Sequence, residues 1–354
     1  MNDLDHIFTT NFILQNLYII EYVNQYECNM NINFGVCLPA TSDVDFGSSL
    51  EYVLEAERLG YDSVWVADHW FISLEAFTAL TAFAMKTQKV KLGTAVIDAN
   101  RRPPAILAHI TSTLDTISNG RLILGISSGI WNEKSYGYTV KNKVSRFKET
   151  VEVLKKFWTE NEIEYHGEYY DFEGGAIGPK PLQKPHPPIW INGFGPRMKT
   201  IAGELADGFV TQHCPPKIFE EEYKIVKNSA KKAGKDPEKL VAAFMAPFAL
   251  GDTYDQAYSY VKERGRRTVF NFGKPPHNFA ERMGYGGPWE KLEDVPDEAV
   301  DQCFLFGTAD DCISKIEKFA KKGVNYFVPL PLYPTDRKTL KVFAEEVVAY
   351  FKDN

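Results

Sequence analysis

Leu92-Gly93-Thr94-Ala95-Val96-Ile97-Asp98 and Arg121-Leu122-Ile123-Leu124-Gly125-Ile126-Ser127 are two short apolar runs separated by one helical stretch. That stretch opens on Arg102-Pro103-Pro104 and closes on Ser118-Asn119-Gly120. Proline suits the first turn of a helix, where its missing N–H would be unpaired anyway. Strand, helix and strand in this order make a β-α-β unit, whose functional groups sit on the loops after the strands. The second run continues into Ser127-Ser128-Gly129-Ile130-Trp131-Asn132-Glu133. Small residues at both strand ends let a flat ligand approach the backbone closely.

Working outward, the same arrangement returns. Ser48 to Leu59 carries Leu50, Val53 and Leu54 at helical spacing, Gly60 stands where a left-handed cap is wanted, and Ser63-Val64-Trp65-Val66-Ala67 follows as a buried strand. Near the C-terminus Ile313, Ile316, Phe319 and Ala320 mark a helix face, Gly323 caps it, and Asn325-Tyr326-Phe327-Val328 is the strand. A weaker copy runs from Ala202 through Gly208 into Phe209-Val210-Thr211. The pattern predicts eight strands, near Asn33–Leu38, Ser63–Ala67, Lys89–Ile97, Arg121–Ser127, Pro188–Asn192, Gly208–Thr211, Val241–Leu250 and Asn325–Pro329. Apolar strands alternating with helices imply a parallel sheet covered on both faces. Eight of them favour a closed (β/α)8 TIM barrel over a doubly wound sheet.

Two segments interrupt the repeat. Glu162 to Phe172 alternates around Gly167 and reads as a β-hairpin. Asn271 to Asp297, rich in Gly, Pro and aromatic residues, is too long for an ordinary connector and is expected to lie over the barrel mouth. The first thirty residues are read as an N-terminal extension (1–30) and the remainder (31–354) as one domain. Phe12 to Val23 mixes apolar residues with Gln15, Asn16 and Glu21, too short and polar to span a bilayer, and no signal peptide is expected. A docking helix is the competing reading of this extension.

The 354 residues carry 40 Lys and Arg against 47 Asp and Glu, a net charge of −7 without a basic block, which argues against a nucleic-acid partner. Five cysteines without a CxxC pair suit a reducing cytoplasm. The histidines show no metal-ligand spacing, and HExxH, Walker-type and Rossmann glycine motifs are missing from the sequence. No metal site is expected.

Three strand ends carry candidate chemistry. Asp68-His69 follows the second strand; an acid beside an imidazole can hold its tautomer and shift its pKa, as proton transfer near neutral pH requires. A histidine capping the next helix or bonded in the core is the alternative. Thr94-Ala95-Val96 ends the third strand. Ile191-Asn192-Gly193-Phe194-Gly195-Pro196-Arg197 joins the fifth strand to a helix; its free backbone N–H groups suit a phosphate, and Arg197 can add a charge-assisted contact.

Taken together, these residues resemble the luciferase-like family of flavin- and deazaflavin-dependent oxidoreductases, from about Asn31 to the C-terminus. The resemblance implies the closed barrel and a cofactor, coenzyme F420 or alternatively FMN. Many deazaflavin-dependent members carry Asp-His at this place, whereas the flavin branch more often shows Glu-His-His. It implies a non-prolyl cis peptide, by position Ala95–Val96, behind the central cofactor ring. Cofactor contacts are implied at Ala95, Val96, Ser127, Ser128 and the Gly193, Phe194, Gly195, Pro196, Arg197 turn, whose helix ends in the expected Ala206-Asp207-Gly208. Some relatives place acids where Cys37 and Ile130 stand here, so Asp68 and His69 remain the catalytic candidates; Glu133 belongs to a Trp-Asn-Glu pattern shared by both branches. The implied function is hydride transfer between F420 and an organic small molecule, as in methylene-tetrahydromethanopterin reductases and alcohol or sugar-phosphate dehydrogenases, by a cytoplasmic homodimer or higher homo-oligomer. The alternatives are an FMN-dependent monooxygenase served by a separate flavin reductase, and a flavin-binding barrel without turnover.

Overall fold

The eight expected strands are parallel and close on themselves. The computed structural model describes residues 31–39, 45–69, 73–129, 137–275, 277–331 and 337–353. The expected N-terminal extension therefore lies outside the described residues, as do Ile130, Trp131, Asn132 and Glu133. The ring runs β1 (Asn33–Cys37), β2 (Ser63–Val66), β3 (Lys91–Thr94), β4 (Leu122–Ser127), β5 (Ile189–Asn192), β6 (Gly208–Gln212), β7 (Val241–Met245) and β8 (Tyr326–Phe327). Each strand pairs with the next, and β8 returns to β1 through Asn33↔Tyr326 and Phe34↔Phe327.

Successive strand side chains point to opposite faces, so a buried barrel needs apolar residues on both. Cys37, Trp65, Ile123, Trp190, Val210, Ala243, Met245 and Tyr326 form the inner core. Their neighbours Val36, Val64, Val66, Leu122, Leu124, Ile189, Ile191, Phe209, Phe244 and Phe327 belong to the outer core under the helices. Trp65 and Trp190 fill the interior with ring centroids 4.9 Å apart. Ser63 Oγ accepts hydrogen bonds from Trp65 Nε1 (2.6 Å) and Tyr326 OH (2.7 Å), so the buried polar atoms are matched.

Around the ring stand α1 (Phe46–Arg58), α2 (Ala76–Ala84), α3 (Pro104–Ile117), α4 (Lys143–Thr159), α5 (Pro196–Leu205) and α6 (Pro216–Lys232). The hairpin is present as Ile163–His166 paired antiparallel with Asp171–Gly175. No described helix is long and apolar enough to cross a membrane.

Two expected strands are divided. Lys89–Ile97 breaks after Thr94, and Ile97–Asp98 pairs separately with β4. Val241–Leu250 breaks at Ala246, and Pro247–Leu250 joins a second parallel sheet with Leu305–Gly307 and Leu330–Pro331. Between β7 and β8, Pro247–Leu250, α7 (Tyr254–Phe272), α8 (Asp297–Cys303) and Leu305–Gly307 form an insertion with its own apolar core, whereas α9 (Ala309–Ala320) packs on the main core beneath the outer helices. The segment expected as a mouth loop, Asn271 to Asp297, thus begins inside α7 and contains a short helix, Phe279–Arg282.

Candidate active site

The C-terminal strand ends open onto one cavity, lined at one side by Asp68, His69, Ala95, Val96 and Ser127. Three separate strands thereby bring five of the sequence-predicted residues together. From β5 the cavity takes Asn192, whose amide donates to Val210 O at 2.9 Å. The Gly193–Arg197 turn continues from Asn192 beyond the lining of this cavity. Ser128 is buried behind the wall, its carbonyl accepting from Asn100 Nδ2 at 2.8 Å, and Gly129 lines the cavity instead.

The Ala95–Val96 peptide is cis, at the position the resemblance implies. Thr94 Oγ1 donates to Gly125 O at 2.7 Å and ties β3 to β4 just before this bond. A Cβ at Gly125 would stand 1.9 Å from Thr94 O, so only glycine lets the two backbones approach this closely. Gly125→Val is expected to cost about 1–3 kcal/mol of stability and to displace the Ala95–Val96 segment. Chemical denaturation and cofactor titration of the same variant check both effects.

Asp68 is held more firmly than an Asp-His pair suggests. Arg102 grips its carboxylate with Nη1 (3.1 Å) and Nη2 (3.2 Å) and also meets Glu75 at 2.8 Å. Arg101 donates to Asp68 O at 2.8 Å and reaches Oδ2 at 3.4 Å. Arg101 also lies 3.5 Å from Asp98 Oδ2 and 3.2 Å from Tyr138 OH. Fork-shaped guanidinium contacts of this kind fix a carboxylate's orientation as well as its charge. Asp98 caps the turn carrying Arg101 by accepting from Asn100 N at 2.9 Å. Gly129, at φ +74°, leaves room for Asp98, whose Oδ2 would stand 2.2 Å from a Cβ there.

His69 is half-buried and faces the cavity. Its backbone N–H donates to Ser73 Oγ, which in turn donates to Ala67 O, clipping the turn after β2. Burial lowers the imidazole's pKa, Arg101's charge lowers it further, and Asp68 opposes both. A ring lowered from the ordinary 6.5 is neutral at neutral pH and can accept a proton. Cys37 also lines the cavity, its thiol pushed up by burial to about 12 and so kept protonated.

Behind the Gly193–Arg197 turn, Lys199 is buried, donates to Phe194 O and pairs with Glu222 at 2.8 Å. Arg282 meets the same carboxylate at 3.0 Å. The Phe194 ring packs against Phe272 (5.1 Å) and His277 (4.6 Å) of the insertion. Helix α5 starts at Pro196 with Gly195 as N-cap and no side-chain cap, leaving its first N–H groups for a ligand. Arg197 points to Ser145 Oγ at 3.0 Å and is exposed.

Sequence reasoning missed Asp98, Arg101, Gln212, Met245, Arg264 and Lys199. The first two carried a signal, an acid and an arginine three residues apart directly after a strand end. Gln212 also follows an expected strand directly, whereas Met245, Arg264 and Lys199 are brought in by tertiary packing.

One further histidine directly follows the cavity-lining Gln212. His213 sits after β6 at φ +57°, between Phe272 (5.2 Å) and Phe304 (5.7 Å). Burial, aided by Arg264's charge, pushes it down to about 3, and its Nδ1 has no partner among the described residues. Falling pH protonates this histidine in the unfolded chain first. Its stabilisation is therefore complete above 6.5 and is lost as pH falls toward about 3. His213→Asn keeps a residue tolerant of positive φ and removes the titration. Its stability is expected to fall less steeply than the wild type's between about pH 6 and pH 4, read by denaturant titration at each pH.

With this geometry in hand, the chain's similarities to known proteins bear on the site. Residues 32–326 match the family model described as luciferase-like monooxygenase. The chain is 30% identical to a 5,10-methylenetetrahydromethanopterin reductase of Archaeoglobus fulgidus, over 85% of this chain and 95% of that one. It is 28% identical to an F420-dependent glucose-6-phosphate dehydrogenase of Amycolatopsis mediterranei, over 84% and 92%. Among solved structures, the coenzyme F420-dependent tetrahydromethanopterin reductase of Methanopyrus kandleri superposes with TM-score 0.78 at 24% identity, covering 91% of this chain and 99% of that one. The match to the family model over most of its length, borne on a closed barrel, makes this chain a member of the luciferase-like family.

Proposed function

We propose that the chain is a coenzyme F420-dependent oxidoreductase that moves a hydride between the deazaflavin and an organic small molecule. The observation that carries this reading is kinship with reductases and F420-dependent dehydrogenases over more than four-fifths of the chain. The residues fit such a cofactor. Ala67, Ala95, Ser127 and Gly129 give the cavity a wall of small side chains against which a flat ring can lie. The uncapped N-terminus of α5, with the buried Lys199 behind its turn, suits a phosphate.

F420, when bound, supplies the two-electron hydride chemistry. The Ala95–Val96 backbone would support its ring and Gly193 to Pro196 would hold its phosphate with Arg197 beside it, while Ser127 would face the ring from the cavity wall that Ser128 backs. Asp68, paired with Arg101 and Arg102, acts by holding the end of β2 in place. His69 is the residue suited to take or hold one substrate proton at an imidazole nitrogen. Residues 31–354 form the catalytic domain in this reading and residues 1–30 an extension. The molecule works in the cytoplasm as a homodimer or higher homo-oligomer, and its net charge of −7 is in keeping with a substrate other than nucleic acid.

The test is an absorbance assay of F420 with methylene-tetrahydromethanopterin, glucose 6-phosphate and a secondary alcohol in turn. Interconversion of oxidised and reduced F420 with one of them supports the proposal. Turnover that needs FMN and oxygen contradicts it.

A further inference from the structure

Three arginines stand close together on α7, and two of them are neutralised on the insertion itself. Arg266 pairs with Asp297, and Arg267 meets Glu263 at 3.1 Å. Arg264 instead lines the active-site cavity and makes no hydrogen bond or ion pair with any described residue.

The carboxylates of the cavity do not compensate it. Asp68 is engaged by Arg101 and Arg102, and Asp98 lies against Arg101. His213, which feels Arg264's charge, is held neutral by burial and that charge together. Burial also lowers Arg264's own pKa, so its guanidinium is partly withdrawn from water although the residue as a whole is exposed. A guanidinium that lines a cavity without a counter-charge keeps its donors available to an incoming anion. Its planar fork of donors matches the oxygens of a carboxylate or phosphate.

We propose that Arg264 binds an anionic group, carboxylate or phosphate, on the substrate that reacts beside His69. This rests on the oxidoreductase reading and narrows its substrate to an acidic one. The cofactor's phosphate does not need this arginine, because the Gly193–Pro196 turn lies outside the cavity's lining. An anion on Arg264 is inside the cavity, facing the same space as His69. The barrel therefore offers two separate anion sites, one for the cofactor and one for the substrate.

The test uses protein saturated with F420, titrated with inorganic phosphate in one arm and malonate in another, and read by deazaflavin fluorescence and calorimetry. The wild type is expected to bind at least one anion in the millimolar range. Arg264→Gln is expected to weaken that binding about tenfold or more, and Arg264→Lys to recover part of it, with F420 affinity unchanged in both. Stronger binding of phosphate assigns a phosphate-bearing substrate, and stronger binding of malonate a carboxylate. Equal anion binding by wild type and Arg264→Gln overturns the proposal, and so does a wild type that binds neither. Loss of F420 affinity in Arg264→Gln overturns it too, by giving the guanidinium to the cofactor. Should the wild type fail to bind F420, the cofactor reading fails; the same anion titration of the cofactor-free pair then decides the role of Arg264.

Discussion

Asparagine in place of His69 is expected to lower turnover by about two to four orders of magnitude, with melting temperature and F420 affinity close to those of the wild type. Asparagine keeps a hydrogen-bonding side chain of similar reach and removes the group that titrates. The imidazole faces the cavity, and burial with the Arg101 charge keeps it neutral, so it is ready to accept a proton. Because its pKa is lowered, activity is expected to stay level as pH falls through the ordinary histidine value of 6.5 and to decline only below it. The turn around His69 is fixed by backbone and Ser73 contacts that the substitution leaves in place. A histidine serving only structure gives the reverse result, a lower melting temperature with near-normal turnover. Steady-state kinetics and thermal melts on one preparation distinguish the two.

The second large effect belongs to the neighbouring acid and is an effect on stability. Asp68→Asn leaves Arg102 without its two-point partner and removes one carboxylate from Arg101, all in a poorly solvated site. Breaking a buried pair from one side costs about 3–5 kcal/mol. Here the lower end is expected, because Arg101 retains Asp98 and Arg102 retains Glu75. A loss of about 3 kcal/mol corresponds to a fall in melting temperature of roughly 5 °C for a chain of this size. The double variant Asp68→Asn/Arg102→Met removes the stranded charge and is expected to be more stable than the sum of the two single changes. An Asp68→Asn protein that melts like the wild type yet has lost turnover would instead make Asp68 a participant in proton transfer.

These two residues also mark how far the sequence could be read. The barrel was legible because each strand is apolar on both faces and each helix before it ends on a glycine or other turn signal, as at Gly60 and Gly323. The Asp68-His69 pair was legible because it directly follows a strand end. Its partners were not, since Arg101 and Arg102 looked like the preamble to a proline-led helix, and their contacts with Asp68 span more than thirty positions. The break at Ala246 was hidden because Val241–Leu250 is apolar throughout, and hydrophobicity does not tell which of two sheets a residue joins. The strand Leu305–Gly307 is three residues long, too short for a period to register. Arg264 sits on an ordinary polar helix, and only the folded insertion turns it toward the cavity. The cis bond at Ala95–Val96 came from the family resemblance and from no property of the residues themselves.

The most direct test of the account is a paired fluorescence titration of the purified protein with F420 and with FMN. Saturable binding of F420, weakened by changes at Gly193 to Pro196 and at Gly125, with FMN bound far more weakly, is the predicted result. Tight retention of FMN with no measurable affinity for F420 would contradict the deazaflavin assignment, while leaving the barrel and the charge network around Asp68 as described.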